Sequence, residues 1–240
     1  MPLPLIAWGA GAILVALGTG AYSYFYGRGA RVADECRDRV RIWVVGPTGV
    51  GKTVLIGGAL RRPPPAGRDG SPRTARLEWH WEGDGPLALA DTVGLELVRG
   101  TRQVGDATAR LAATALAERP HAAWICVRDD AARVFGADPA ASDGTEAALA
   151  RMLRSQGIPA IGVLTQADLG AEDGPMATAM RTAMPDLAAL VAVCVLPRLA
   201  EDGGELVPRH GMDRLRSATL AVVDEAARAR LERDWPAYGW

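Results

Sequence analysis

The stretch Arg41-Ile-Trp-Val-Val-Gly-Pro-Thr-Gly-Val-Gly-Lys-Thr53 decides the fold of this chain. Its apolar first part predicts a buried parallel strand. The run Val54–Leu60 predicts a helix, and we expect the prolines at 63–65 to end it. Between strand and helix, the spacing G-x-x-x-x-G-K-T is typical of a loop that wraps the phosphates of a nucleotide. The stretch therefore predicts an α/β domain that binds a nucleoside phosphate.

Different groups of this loop are expected to bind the phosphates and the metal ion. Backbone N–H groups and the start of the following helix attract the phosphate charge. The Lys52 ammonium reaches the β and γ oxygens, and the Thr53 hydroxyl binds Mg²⁺. Lys52 is the only lysine among 27 lysines and arginines, so this position has a compact ammonium where every other one has a guanidinium. The predicted nucleotide contacts are Gly46, Pro47, Thr48, Gly49, Val50, Gly51, Lys52 and Thr53.

A second apolar run ends in residues suited to Mg²⁺ and to a γ-phosphate. The predicted strand Leu87–Asp91 ends in a carboxylate that can orient Mg²⁺, and the Gly94 N–H can meet the γ-phosphate. Thr74 follows the Pro/Gly/Arg-rich loop 61–73 and can add a hydroxyl to Mg²⁺; the alternative is a residue that merely begins a strand. The predicted metal ligands are Thr53, Thr74 and Asp91, and the predicted catalytic groups are Lys52, Thr74 and Gly94.

A third run carries the residues that would select the base. The predicted strand Pro159–Leu164 leads into Thr165-Gln-Ala-Asp168. A carboxylate here can accept both N1–H and N2–H₂ of guanine, a pair of donors that adenine does not present. Asp168 is therefore predicted to select guanine, and Thr165 and Gln166 are predicted to contact the nucleotide as well. The alternative is that Asp168 only starts a loop.

The order of these motifs resembles that of the Ras-like GTPase superfamily, and within it the Era-like branch of bacterial GTPases. The resemblance covers residues 40–232 and implies a three-layer α/β fold with a six-stranded, mostly parallel sheet. The nucleotide would lie at the carboxyl ends of the strands. The resemblance also implies GTP and GDP with Mg²⁺ as ligands, a contact near Ala200, hydrolysis of GTP as the activity, and an unidentified protein effector.

Gln166 and Leu95 are departures from the pattern of that superfamily that bear on activity. Gln166 stands where a lysine usually packs over the base, so guanine affinity is expected to be lower. Leu95 stands where Ras carries the glutamine that positions water, so intrinsic hydrolysis is expected to be slow. A nucleotide-binding scaffold without turnover is therefore one alternative. An ATPase is another, since the phosphate loop also resembles that of AAA+ unfoldases, but we find no apolar strand ending in Asp-Glu.

The first residues predict a membrane anchor. Residues 1–27 contain no charged side chain, and Leu3–Tyr26 exceeds the about 20 residues that a spanning helix needs. Tyrosines near its end and the arginines that follow predict a single pass of a bacterial inner membrane, with the domain in the cytoplasm. A cleaved signal peptide is the alternative, but the basic n-region is absent. The expected segments are an anchor at 1–27 that contacts lipid through 3–26, a connector at 28–39, the GTPase domain at 40–232 and a tail at 233–240.

Composition excludes other classes of function. The net charge of −1 gives no reason to expect nucleic-acid binding. Cys36, Cys126 and Cys194 are too dispersed to form a disulfide framework or a metal cluster. Cys126 and Cys194 lie in apolar runs, so we expect these two to be buried thiols. Helices are expected at 106–118, 145–157, 174–183 and 212–232, and a last strand is expected at Leu190–Leu196.

Overall fold

The computed structural model describes residues 34–62, 78–91, 119–129, 145–200 and 203–239. Within them, six strands form one sheet in the order β2-β3-β1-β4-β5-β6, with β2–β3 as the antiparallel pair. The strands are β1 (Val40–Val45), β2 (Glu78–Trp81), β3 (Leu87–Asp91), β4 (Ala122–Arg128), β5 (Ala160–Thr165) and β6 (Ala189–Val193), and a separate hairpin pairs β7 (Arg198–Leu199) with β8 (Glu205–Val207). The helices are α1 (Lys52–Ala59), α2 (Thr145–Ser155), α3 (Pro175–Ala183), α4 (Met212–Val222) and α5 (Glu225–Asp234).

Alternating side chains of the buried strands build a core on each face of the sheet. Ile42, Trp124 and Ile161 face one side, where they pack with residues of α1, α4 and α5. Trp43 and Ile125 face the other side, toward α2 and α3. This alternation follows from the two-residue period of a strand. The prediction of a six-stranded, mostly parallel sheet between two helical layers is confirmed.

Two predicted helix ends are corrected by the structure. The single helix expected at 212–232 is wrong, because α4 ends at Val222 and α5 begins at Glu225. Asp224 lies between them in an extended conformation and accepts a hydrogen bond from the Ala227 N–H at 2.9 Å, as an N-cap does. The helix α1 ends at Ala59, before the prolines at 63–65 that were expected to stop it. The helix predicted at 106–118 lies outside the described residues.

The connector that precedes β1 is fastened to the amino ends of the strands. The buried Arg41 guanidinium donates to the carbonyl oxygens of Arg37 at 2.6 Å and Arg119 at 3.2 Å. Arg39 donates to the carbonyl of Gly83 at 2.6 Å, in the turn between β2 and β3. These bonds fix where the chain enters the sheet. None of the helices in the described residues is both long and apolar enough to cross a membrane, and the anchor predicted at 1–27 lies outside them.

The carboxyl-terminal tail packs onto the domain beyond α5. Trp235 and Tyr238 join the core on the α1 side of the sheet. The Tyr238 hydroxyl accepts a hydrogen bond from Trp235 Nε1 and donates to the Ala59 carbonyl, each at 2.6 Å. The Asp213 carboxylate accepts the N–H groups of Tyr238 and Gly239, at 2.6 and 2.8 Å. The tail therefore holds the last turn of α1.

Replacing Tyr238 with Phe tests this contact. The change removes the hydroxyl and leaves the buried Trp235 Nε1 and Ala59 carbonyl without that partner, so we expect the free energy of unfolding to fall by about 1–3 kcal/mol. Chemical denaturation of the full chain measures the loss. As a control, Thr182→Ala removes an exposed hydroxyl bond on α3 and is expected to cost under about 0.5 kcal/mol. Equal stability of Tyr238→Phe and the parent chain would contradict a structural role for the tail.

Candidate functional site

The loop between β1 and α1 passes in close contact with β4. Gly46 has φ +148°, and a Cβ built on it would lie 2.3 Å from the Cys126 carbonyl oxygen. Gly51 has φ +93° and forms the N-cap of α1. Residues with a side chain rarely adopt either backbone conformation, and at Gly46 there is also no space for a Cβ. The glycines thus allow the chain to turn from the strand into the helix within a few residues.

Lys52 lies inside this loop. Its side chain is buried, and Nζ donates to the carbonyl oxygens of Gly46 and Pro47, both at 3.0 Å. Burial lowers the pKa of Lys52, and the nearby charge of Asp91 opposes that effect. An anion held by the loop would favour the charged ammonium in the same way as Asp91 does. The geometry fits a lysine that binds phosphate oxygens.

Thr53 and Asp91 meet at the carboxyl edge of the sheet. The Thr53 hydroxyl donates to Asp91 Oδ2 at 2.8 Å, because parallel pairing of β1 and β3 places Asp91 beside Val44. A hydroxyl and a carboxylate are oxygen donors that suit Mg²⁺, which takes few protein ligands and completes its shell with water and phosphate. The described residues contain no group of three His, Cys, Asp or Glu side chains arranged for a metal. The predicted third ligand, Thr74, and the predicted γ-phosphate contact, Gly94, lie outside the described residues.

Thr165 is the first residue of Thr165–Asp168, the predicted base motif, and it connects this motif to the phosphate loop, 46–53. Its buried hydroxyl donates to the Val50 carbonyl at 2.5 Å and lies 3.2 Å from the Val127 carbonyl. Gln166 follows with φ 54°, and its amide nitrogen lies 3.8 Å from the position that a Cβ on Gly51 would occupy. The Gln166 side chain therefore lies against the loop between β1 and α1.

Asp168 is exposed and paired with a cation. Its Oδ1 lies 2.5 Å from Nη1 of Arg198, on β7. The segment around β7 and β8 is closed at its base by a reciprocal backbone pair between Cys194 and His210, both bonds being 3.0 Å. The His210 ring nitrogen Nε2 also lies 3.0 Å from the Ala167 carbonyl oxygen. The base motif and the β7–β8 hairpin thus form one structural unit.

A cavity of about 650 Å³ lies between α1, the end of β5 and the segment after β6. Its volume is in the range of small-molecule sites. Ala200, the predicted nucleotide contact, lines it and follows β7 in the β7–β8 hairpin. The strand expected at 190–196 ends at Val193. Cys194, Val195 and Leu196, which were expected to belong to it, line the cavity. The cavity is lined by Gly51, Val54, Leu55, Thr165, Gln166, Val193, Cys194, Val195, Leu196, Pro197, Arg198, Leu199 and Ala200.

The structure brings the described candidate residues to one edge of the sheet. The loop between β1 and α1 follows β1, and Asp91 and Thr165 are the last residues of β3 and β5. Parallel pairing aligns the carboxyl ends of these strands. The sequence analysis missed the cavity residues between 194 and 199. They follow a strand that ends within an apolar run, and no motif marks them. The roles of all the candidate residues stay predictions.

Known structures share this fold. The sequence matches no protein-family model and no curated protein. The structure is similar to that of a probable GTP-binding protein engB, with TM-score 0.50 and 12% identity over 76% of this chain and 97% of that chain. It is also similar to a structure of the chloroplast translocon components atToc33 and psToc159, with TM-score 0.52 and 14% identity over 88% of this chain and 92% of that chain. The chain therefore has the mixed α/β fold of the P-loop GTPases.

Two glycines of the phosphate loop provide a matched pair of variants. In Gly46→Ala the new methyl group meets the Cys126 carbonyl, so we expect the free energy of unfolding to fall by about 2–5 kcal/mol. In Gly49→Ala the φ is also positive, at +80°, but nothing lies within 4 Å, so only the conformational cost of about 1–2 kcal/mol applies. Denaturant titration of both variants measures the difference, and equal losses would contradict the close contact with β4.

Proposed function

We propose that this chain binds GTP, hydrolyses it slowly to GDP and phosphate with Mg²⁺, and acts as a molecular switch. The observation that carries the proposal is the hydrogen bond from Thr165 to the Val50 carbonyl. It joins the loop proposed to hold phosphates to the motif proposed to read the base. Asp168 favours guanine over adenine because its carboxylate accepts hydrogen bonds and donates none.

The proposed chemistry is mostly electrostatic. Lys52 and the loop N–H groups stabilise the negative charge that develops on the transferred phosphoryl group. Thr53, Thr74 and Asp91 hold Mg²⁺, which neutralises phosphate charge when bound. Thr74 and the Gly94 N–H, which lie outside the described residues, would contact the γ-phosphate and would lose that contact after hydrolysis. A protein effector would distinguish the two states.

Nucleotide binding and turnover on the full chain test this proposal. We expect Mg²⁺-GTP to bind at least about fivefold more tightly than Mg²⁺-ATP, since a good bidentate hydrogen-bonded pair discriminates by about 1–3 kcal/mol. Lys52→Ala is expected to abolish turnover and to weaken the binding of both nucleotides, whereas Asp168→Asn is expected to weaken the binding of GTP alone. Equilibrium binding and phosphate release are the measurements.

Each other outcome of this experiment has a defined meaning. Selective binding of GTP without phosphate release by the chain would favour the scaffold alternative, for which Leu95 and Gln166 give the reason. Equal binding of GTP and ATP that Asp168→Asn leaves unchanged would contradict the proposed base selection. Binding that persists in Lys52→Ala would contradict the proposed phosphate site.

We further propose that residues 1–27 anchor the domain to the cytoplasmic face of a bacterial inner membrane. The uncharged run and the arginines after it support this orientation. We expect the full chain to remain with membranes through washes at high salt and alkaline pH, and a chain that begins at Arg31 to be released. Fractionation followed by immunodetection measures both, and release of the full chain by salt would contradict the anchor.

A further inference from the structure

The β7–β8 hairpin brings a cation to the base motif from a part of the chain without a sequence motif. Arg198 and Asp168 are 30 positions apart, yet Nη1 and Oδ1 lie within 2.5 Å. The strand pairing has an irregularity between Arg198 and Leu199. Such irregularities redirect side chains and are frequent beside active sites. Arg198 also lines the cavity that Thr165 and Gln166 line.

The exposure of this ion pair argues against a role in fold stability. The Arg198 side chain is 51% exposed and that of Asp168 is 60% exposed. Ion pairs that open to water contribute little to stability, because solvent screens them and two long side chains lose freedom. The same pair would be stronger under a bound base, which would exclude water from one side. Its position at the cavity therefore matters most when a ligand is present.

A cation from another part of the chain can lie beside Asp168. Gln166 is neutral where the resemblance expects a lysine, so the motif itself contributes no positive charge. A carboxylate offers about four lone-pair positions, and N1–H and N2–H₂ of guanine would use one on each oxygen. Asp168 can therefore keep its bond to Arg198 while it accepts two hydrogen bonds from a base.

On the basis of the proposed function, we propose that Arg198 is a positioning residue for guanine. It holds the Asp168 carboxylate in the orientation that accepts N1–H and N2–H₂, and it acts through Asp168 rather than by its own contact with the base. Backbone bonds hold the hairpin that carries it, from Ala200 N–H to the Gly204 carbonyl at 2.7 Å and from Gly203 N–H to the Ala200 carbonyl at 3.0 Å. The planar guanidinium fork suits this task better than an ammonium.

The test compares the affinities of Mg²⁺-GDP and Mg²⁺-ADP for the full chain. We expect Arg198→Ala to weaken GDP about tenfold and to leave ADP unchanged, because a hydrogen bond to a charged group contributes on that scale. Arg198→Lys should recover part of the loss. Arg154→Ala is the matched control, since Arg154 forms an exposed ion pair with Asp186 outside the cavity lining, and its GDP affinity should equal that of the parent chain.

A double-mutant cycle separates positioning from direct contact. In an Asp168→Ala background, Arg198→Ala should cause no further loss of GDP affinity. A tenfold loss that persists in that background would overturn the positioning role. Unchanged or tighter GDP binding by Arg198→Ala alone would also overturn it, the latter by showing that the ion pair competes with the base. If the parent chain does not prefer GDP to ADP, the proposed function fails first, and this inference fails with it.

Discussion

The candidate site depends on the contact between Gly46 and the Cys126 carbonyl. Because β1 and β4 pair in parallel, the chain that leaves β1 must turn over the neighbouring strand, and only a residue without a Cβ fits there. This turn sets the position of Lys52 and lets α1 begin immediately after Gly51. Burial raises the pKa of the neighbouring Cys126 thiol to about 12, so this cysteine stays neutral beside the loop. The backbone contact at Gly46 thus sets the course of the chain into the site.

The two ends of the site differ in their electrostatic surroundings. At the proposed phosphate end, Lys52 and Asp91 are buried, the charge of Asp91 opposes the lowering of the Lys52 pKa by burial, and both side chains are held by hydrogen bonds. At the base end, Asp168 and Arg198 are open to solvent. A buried end with hydrogen-bonded charged groups suits a ligand of high charge. An open end gains most of its interaction strength only when a ligand covers it.

Features set by neighbouring residues were predictable from the sequence, whereas features set by distant contacts were not. The loop 46–53 and the strand Leu87–Asp91 follow from local patterns, and the structure has both elements. The break at Asp224 was missed because an Ala/Arg-rich run continues on both sides of a single capping residue. The end of β6 was missed because Cys194, Val195 and Leu196 extend an apolar run. The contact of Arg198 with Asp168 depends on a hairpin that no local pattern marks.

The way in which Arg41 holds the connector has a mechanical consequence. The connector and the phosphate loop lie at opposite ends of β1, and β1 pairs in parallel with β3 on one side and β4 on the other. Tension applied to the chain before residue 36 would first load the bonds from Arg41 to the carbonyls of Arg37 and Arg119. Beyond them it would shear β1 along both neighbours, so that many backbone hydrogen bonds would have to break together. The Arg41 bonds and the pairing of β1 on both sides therefore oppose a pulling force at the amino end of the domain.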